Sequence, residues 1–155
     1  GPHSTVPPRP TGGNIDCREL ISGSTLWLPV AVEGALFSTG DGHAVQGDGE
    51  VAGPAIEIPM ERVELTLTVR HDLSYVLPQA ETPAGYLTFG FGDTLDAAMR
   101  DALAGMVAHL SNEYHLSRPQ AVALASCVVS LRVTQIVNGT LGVHALLPPN
   151  SFQQG

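Results

Sequence analysis

The stretch Ser38-Thr39-Gly40-Asp41-Gly42-His43-Ala44-Val45-Gln46-Gly47-Asp48-Gly49-Glu50 sets the hardest limit on the fold. Glycines at 40, 42, 47 and 49 argue against regular structure here, because glycine loses the most backbone freedom on folding. They suit tight turns, positive φ angles or close approach of the backbone to a ligand. Between them stand Asp41, His43, Asp48 and Glu50, all able to bind a metal or move a proton. Asp41 and His43 are two apart, so an extended segment points both to one face, and Asp48 with Glu50 repeats the spacing. The same residues also read as an acidic, glycine-rich surface loop between strands.

A second polar, glycine-bearing stretch precedes it. Gly12-Gly13 marks a tight turn, and Asn14 and Asp16 then alternate onto one face. Asp16 reads as a turn or capping residue, or as the acid of a second ligand-bearing strand. Residues 1–10 hold four prolines and are expected to run extended over the surface. Gly1-Pro2-His3 reads either as a remnant left by a protease or as the cut end of a longer chain.

Residues 24–32 read as a strand broken or edged by Pro29. Residues 63–70 carry the cleanest alternation: Val63, Leu65, Leu67 and Val69 on one side, Glu64, Thr66, Thr68 and Arg70 on the other. That predicts a half-buried antiparallel strand with one wet face, and His71 at its exposed end. Helical spacing begins after Thr94, a capping residue, and runs through Leu95, Ala98, Met99, Ala102, Leu103, Met106, Val107 and Leu110. His109 and His115 are expected in solvent. Ser117-Arg118-Pro119-Gln120 is a capping-box signature opening a second helix to about Val128. Asn138-Gly139 between two apolar runs, 131–137 and 140–147, signals a closing hairpin, because both turn residues must accept positive φ. The class is α+β: β-rich, mostly antiparallel, sandwich- or barrel-like, with a late helical hairpin and a final β-hairpin, in a single domain over residues 1–155.

Composition narrows the partners. With 43% hydrophobic and 14% charged residues in 155, the chain is not of the disordered class and buries roughly two-thirds of its unfolded surface. A net charge of −8 and seven scattered Lys and Arg speak against nucleic acid or anionic membrane. No apolar run approaches the ~20 residues that span a bilayer. Cys17 and Cys127 have no ligand spacing and read as buried small apolar residues, which with the lack of a signal peptide makes the cytoplasm the expected compartment. Asn138-Gly139-Thr140 matches a glycosylation acceptor by accident on that reading.

Several blocks together carry a resemblance: Pro7-Pro8, Gly12-Gly13-Asn14-Ile15-Asp16, Leu28-Pro29-Val30, the stretch from Gly40 to Val51, Leu131-Arg132-Val133-Thr134-Gln135-Ile136-Val137-Asn138, Gly142-Val143-His144 and Leu147-Pro148. From His3 to Phe152 the chain resembles the C-terminal part of the acetamidase/formamidase family, metal-associated hydrolases of small aliphatic amides, without the N-terminal portion of those longer enzymes. The resemblance implies a β-rich fold with a helical excursion, and hydrolysis of formamide or acetamide to the acid and ammonia. Ala52 stands where many relatives have Cys, so no nucleophilic thiol is assigned there, and Ser130 stands where relatives often have Asp.

Amide hydrolysis needs a polarised carbonyl, an activated water and a protonated leaving nitrogen. On that basis His43 is the nitrogen ligand of a divalent metal, with Asp16 and Asp41 as oxygen ligands and Asp48 a further ligand or orienting group. Zinc suits this mixed set best, with calcium or magnesium open if more oxygens join. Glu50 is the expected acid/base. Asn14 or Gln46 donates to the developing oxyanion, a contact worth about 3 kcal/mol, or makes ordinary turn hydrogen bonds. Assembly is expected too, as a homo-oligomer or with an N-terminal portion, to cover strand edges. Two other classes remain: a non-catalytic metal-binding or assembly module, and a thiol or serine hydrolase using Cys17 or Ser38.

Overall fold

The structure, a computed structural model, describes residues 3–151; the first two residues of the proline-rich opening, and Phe152 at the limit of the resemblance, lie outside the described residues. In chain order the elements are β1 (Thr25–Trp27), β2 (His43–Val45), β3 (Ile56–Glu57), β4 (Gln79–Thr82), β5 (Gly85–Gly92), α1 (Leu95–Glu113), α2 (Arg118–Val128), β6 (Ser130–Gln135) and β7 (Leu141–Leu147). Five strands form one antiparallel sheet in the order β1-β4-β5-β7-β6, and β2-β3 is a separate ribbon. The large sheet is open, with β1 and β6 at its edges. It does not close into a barrel among the described residues, so the architecture is mostly antiparallel sheet with two helices.

Strand parity splits the core. Val143, Ala145 and Leu147 of β7 pack with Ala98, Ala102, Met106, Val107 and Leu110 of α1 and Ala121 and Ala125 of α2. Leu87 and Phe89 of β5, Ala80 of β4 and Leu146 of β7 face the other way and are covered by Cys17, Ile15 and Leu20. His144 is paired with Phe89 and with Arg132 across the strands and sits in that second layer. The loop carrying Asp16 is therefore pressed against the sheet by apolar burial, at about 25 cal/mol per Å² removed from water.

The helices begin where their caps predict. Thr94 accepts from Ala97 N at 3.1 Å, and the Gln120 amide oxygen accepts from Ser117 N at 2.9 Å. Helix α1 rests on β5 at Gly90, where a Cβ would lie 1.9 Å from Ala98 O. Thr88 Oγ1 on the same face donates to Ala102 O at 2.6 Å.

Four expectations are corrected. Residues 63–70 are not a strand: they pair with no strand among the described residues, and Val63, Leu65, Leu67 and Val69 are 53–70% exposed. Alternation specifies two faces but supplies no neighbour for the backbone groups. The closing hairpin has a longer loop than Asn138-Gly139 alone, because β6 stops at Gln135 and β7 starts at Leu141. Asn138 (φ 64) and Gly139 (φ 70) do hold the left-handed turn. Cys127 is exposed, while Cys17 is buried as expected. His109 is half-buried and stacked on Tyr86, ring centroids 3.6 Å apart; His115 is exposed.

Burial lowers the pKa of His109 below its ordinary 6.5. The unfolded chain therefore takes up this proton first. The stability tied to the neutral ring is complete above 6.5 and is lost as pH falls through the lower folded value. The melting temperature is expected to drop more between about pH 7.5 and about pH 5 in the wild type than in His109→Phe, which keeps the stack without the titration. Equal drops would remove His109 from the acid response.

Candidate active site

Three loops meet at the end of β6. Gly12 (φ 104) and Gly13 (φ 96) turn the chain so that Asp16 is carried inward. Asp16 N donates to Gln135 Oε1 at 3.1 Å. The glycine-rich loop is laced to the same strand end: Gly49 N donates to Thr134 O at 3.3 Å and Ile136 N to Gly49 O at 2.9 Å. This lacing ends the β6–β7 pairing early and fixes Glu50 beside Asp16. Among the described residues Asp16, His43 and Glu50 each offer a ligand atom within 4.8 Å of the others. Asp16 and Glu50 are buried, 5% and 6% exposed, and His43 is half-buried.

The backbone of this loop is strained. Asp41 (φ 62) and Glu50 (φ 45) occupy the left-handed region without being glycine, at a cost on the order of 1 kcal/mol each. The strain redirects side chains. Asp48 and Glu50 do not share a face, because Gly49 (φ 86) and Glu50 break the extended geometry between them. Glu50 turns inward, and Asp48 turns to Arg132, whose Nη2 lies 2.6 Å from Asp48 Oδ2. Asp48 is therefore not brought into the cluster.

His43 is held from both sides, with Nδ1 3.0 Å from Gln46 Oε1 and Nε2 3.1 Å from Asp41 Oδ1. Asp41 thus orients the ring; with His43 and Glu57 it also forms a more exposed group of potential ligands. Gln46 bridges two loops, since its Nε2 donates to Asp16 O. Both of its ends are engaged, which makes it a brace rather than a free oxyanion donor. Asn14 is turned away and donates to Val6 O at 3.0 Å. Two contributors were missed in the sequence: Gln135, fully buried behind Asp16, and Asn138, whose Nδ2 donates to Asp16 Oδ2. The Asn-Gly signal located Asn138 but spoke only of its backbone.

The electrostatics follow from this crowding. Burial, and then the adjacent Asp16 carboxyl, push Glu50 up to about 7. Burial likewise raises Asp16, with the nearby Asp41 charge adding to it. For His43 burial works against the charged ring, but Gln46 and then Asp41 outweigh it and carry the pKa above the ordinary value. Two buried carboxyls and an imidazole facing one another favour retained protons or a shared cation. The donor set, one ring nitrogen with carboxylate oxygens, fits a divalent ion of the zinc type, provided the ring exchanges its contact with Gln46 Oε1 or with Asp41 Oδ1 for the ion.

The comparisons with known proteins agree with one another. The model of the Acetamidase/Formamidase family matches residues 2–154. The chain belongs to the acetamidase/formamidase family. It is similar to the acetamidase of Mycolicibacterium smegmatis, 55% identical over 47 residues that make up 30% of this chain and 12% of that protein. It is also similar to the formamidase of Methylophilus methylotrophus, 51% identical over 47 residues, again 30% of this chain and 12% of that protein. Among solved structures, the acetamidase of Bacillus halodurans superposes with a TM-score of 0.78 at 34% identity, over 93% of this chain and 48% of that one. The chain thus spans about half the length of that relative. No helix among the described residues is long and apolar enough to cross a membrane.

Proposed function

We propose that this chain carries the cation-binding and acid/base part of a hydrolase of small aliphatic amides, of the formamide and acetamide type, releasing the carboxylic acid and ammonia. The observation that carries the reading is the convergence of Asp16, His43 and Glu50 from separate loops to within 4.8 Å, in a chain of this family. Asp16 and His43 would hold the divalent ion, zinc by preference, with Glu50 at its edge. The chemistry such an ion supplies is polarisation of the amide carbonyl and acidification of a water.

The side chains do the rest. Glu50 accepts the proton of the attacking water on its carboxylate and returns it to the departing nitrogen. Its burial beside Asp16 keeps bulk water from competing for that proton. Asp41 and Gln46 hold the imidazole, and Asn138 fixes the Asp16 carboxylate, so that the cluster is ordered before substrate arrives. Partner chemistry on this reading is a small neutral amide, without nucleic acid or membrane, in the cytoplasm. The exposed apolar side chains Val63, Leu65, Leu67 and Val69 support assembly with a second copy or with a counterpart of the relatives' remaining length, because a contiguous apolar patch favours cover.

The test pairs elemental analysis of the purified chain with ammonia release from formamide and acetamide. His43→Ala is expected to weaken cation binding at this cluster at least tenfold and to stop ammonia release. Bound cation without ammonia release from either amide, in any assembly of the chain, would select the non-catalytic binding module instead.

A further inference from the structure

A second group of ligand-type side chains lies on the buried face of the large sheet, and neither the proposed reaction nor the fold accounts for it. Cys17 and Glu19 come from the loop that follows Asp16, and His144 from β7. All three are buried, at 6%, 6% and 0% exposure, and each offers one ligand atom within 4.8 Å of the others. Glu19 Oε2 lies 3.3 Å from Cys17 Sγ and 3.3 Å from His144 Nε2.

His144 is the decisive residue. Its Nδ1 lies 2.8 Å from Thr134 Oγ1, while Nε2 faces Glu19 Oε2 and Cys17 yet makes no hydrogen bond. A fully buried ring nitrogen without a hydrogen-bond partner is costly. We assign Nδ1–H as the donor to Thr134, which leaves the Nε2 lone pair aimed into the group. An imidazole fixed through its far nitrogen in this way is the usual arrangement of a metal-bound histidine. Glu19 is fixed in the same manner, since Arg132 Nη1 holds its Oε1 at 2.6 Å, while Oε2 accepts from the Cys17 thiol, a proton that a bound cation would replace. Arg132 also pairs with Asp48, and Arg18 stands 3.9 Å from Glu19 Oε1 and from Asp48 Oδ1.

The spacing fits a cation. Zinc bonds of about 2.0–2.3 Å to N, O and S place neighbouring ligand atoms of a tetrahedron roughly 3.3–3.7 Å apart. Both distances from Glu19 Oε2, 3.3 Å each, stand at the lower end of that range. A thiolate and a carboxylate neutralise one divalent ion, and thiolate with imidazole selects zinc-type ions over calcium or magnesium.

We propose that Cys17 Sγ, Glu19 Oε2 and His144 Nε2 form a second, buried site for a zinc-type ion, separate from the Asp16/His43/Glu50 cluster. Held there, the ion ties the loop bearing Asp16 to β7. The proposal does not rest on the amidase reading, and the two fail separately.

The test uses the full chain with Cys127→Ser, which removes the exposed thiol, and with His43→Ala, which removes the imidazole of the first cluster. The protein is stripped with a chelator and titrated with Co²⁺ alone. The expected result is one equivalent per chain, with a thiolate-to-cobalt charge-transfer band that disappears in Cys17→Ser. Zinc-edge X-ray absorption of the zinc-loaded protein, with the second site unaltered, is expected to show one sulfur at about 2.3 Å; this reading stands even where Cys17→Ser fails to fold. Binding without a sulfur ligand, a band that survives Cys17→Ser, or no bound ion would overturn the proposal. Failure of the amidase reading gives a different result: no ammonia release from formamide or acetamide by the chain with His43 in place, whatever cobalt does at Cys17.

Discussion

Glu50→Gln is expected to lower kcat for amide hydrolysis about a thousandfold, some 4 kcal/mol of transition-state stabilisation, while the cluster still takes up its ion. Glutamine keeps the shape of a carboxyl and can occupy the same buried position, but it cannot accept a proton from water. Glu50 is also the group pushed up to about 7 by burial and by Asp16, and a carboxyl of that strength is suited to take and return a proton near neutrality. Measuring ammonia release beside bound metal separates its two roles. A near-normal rate would remove Glu50 as the acid/base, and loss of the ion together with the rate would move it into the ligand set.

Gly90→Ala is expected to destabilise the fold by about 3 kcal/mol, as overpacking at a closed contact does. The added Cβ would meet Ala98 O at 1.9 Å and Ala102 N at 2.6 Å. Both are backbone atoms of α1, so no rotamer change relieves the clash and the helix must lift from β5. Lifting it strains the Thr88–Ala102 hydrogen bond, now 2.6 Å, and opens the layer formed by Ala98, Ala102 and Met106. Urea unfolding followed by circular dichroism should show a lower midpoint at an unchanged slope. A midpoint within error of the wild type would mean that α1 does not bear on β5 at this glycine.

Elements that depend on local chemistry were legible in the sequence. Thr94 and the Ser117–Gln120 pair mark their helices because capping involves residues only a few positions apart. Residues 63–70 misled because alternation was taken for a strand whose partner the described residues do not supply. Strand β5 was overlooked although Leu87, Phe89 and Phe91 alternate: Gly85 and Gly92 bound it and Gly90 interrupts it, and only the packed helix shows why Gly90 has no side chain.

The site divides in the same way. Asp16, His43 and Glu50 were legible as an acid–imidazole set in glycine-rich loops, and the family resemblance brought the two loops together. Asp48 was misplaced because a spacing of two implies one face only when the backbone is extended, and Gly49 and Glu50 have positive φ. Asn14 and Gln46 were named for polarity alone, and their partners, Val6 O and the His43–Asp16 bridge, emerge only from tertiary contacts. The Cys17, Glu19 and His144 group spans most of the chain, and no sequence spacing connects its members.

Anomalous diffraction from crystals of the zinc-loaded chain decides whether Asp16, His43 and Glu50 share one cation. A zinc peak is expected within about 2.0–2.2 Å of a His43 ring nitrogen and an Asp16 oxygen, with the Glu50 carboxyl beside it. Density that shows the His43 ring turned into solvent, and no peak among these side chains, would contradict it.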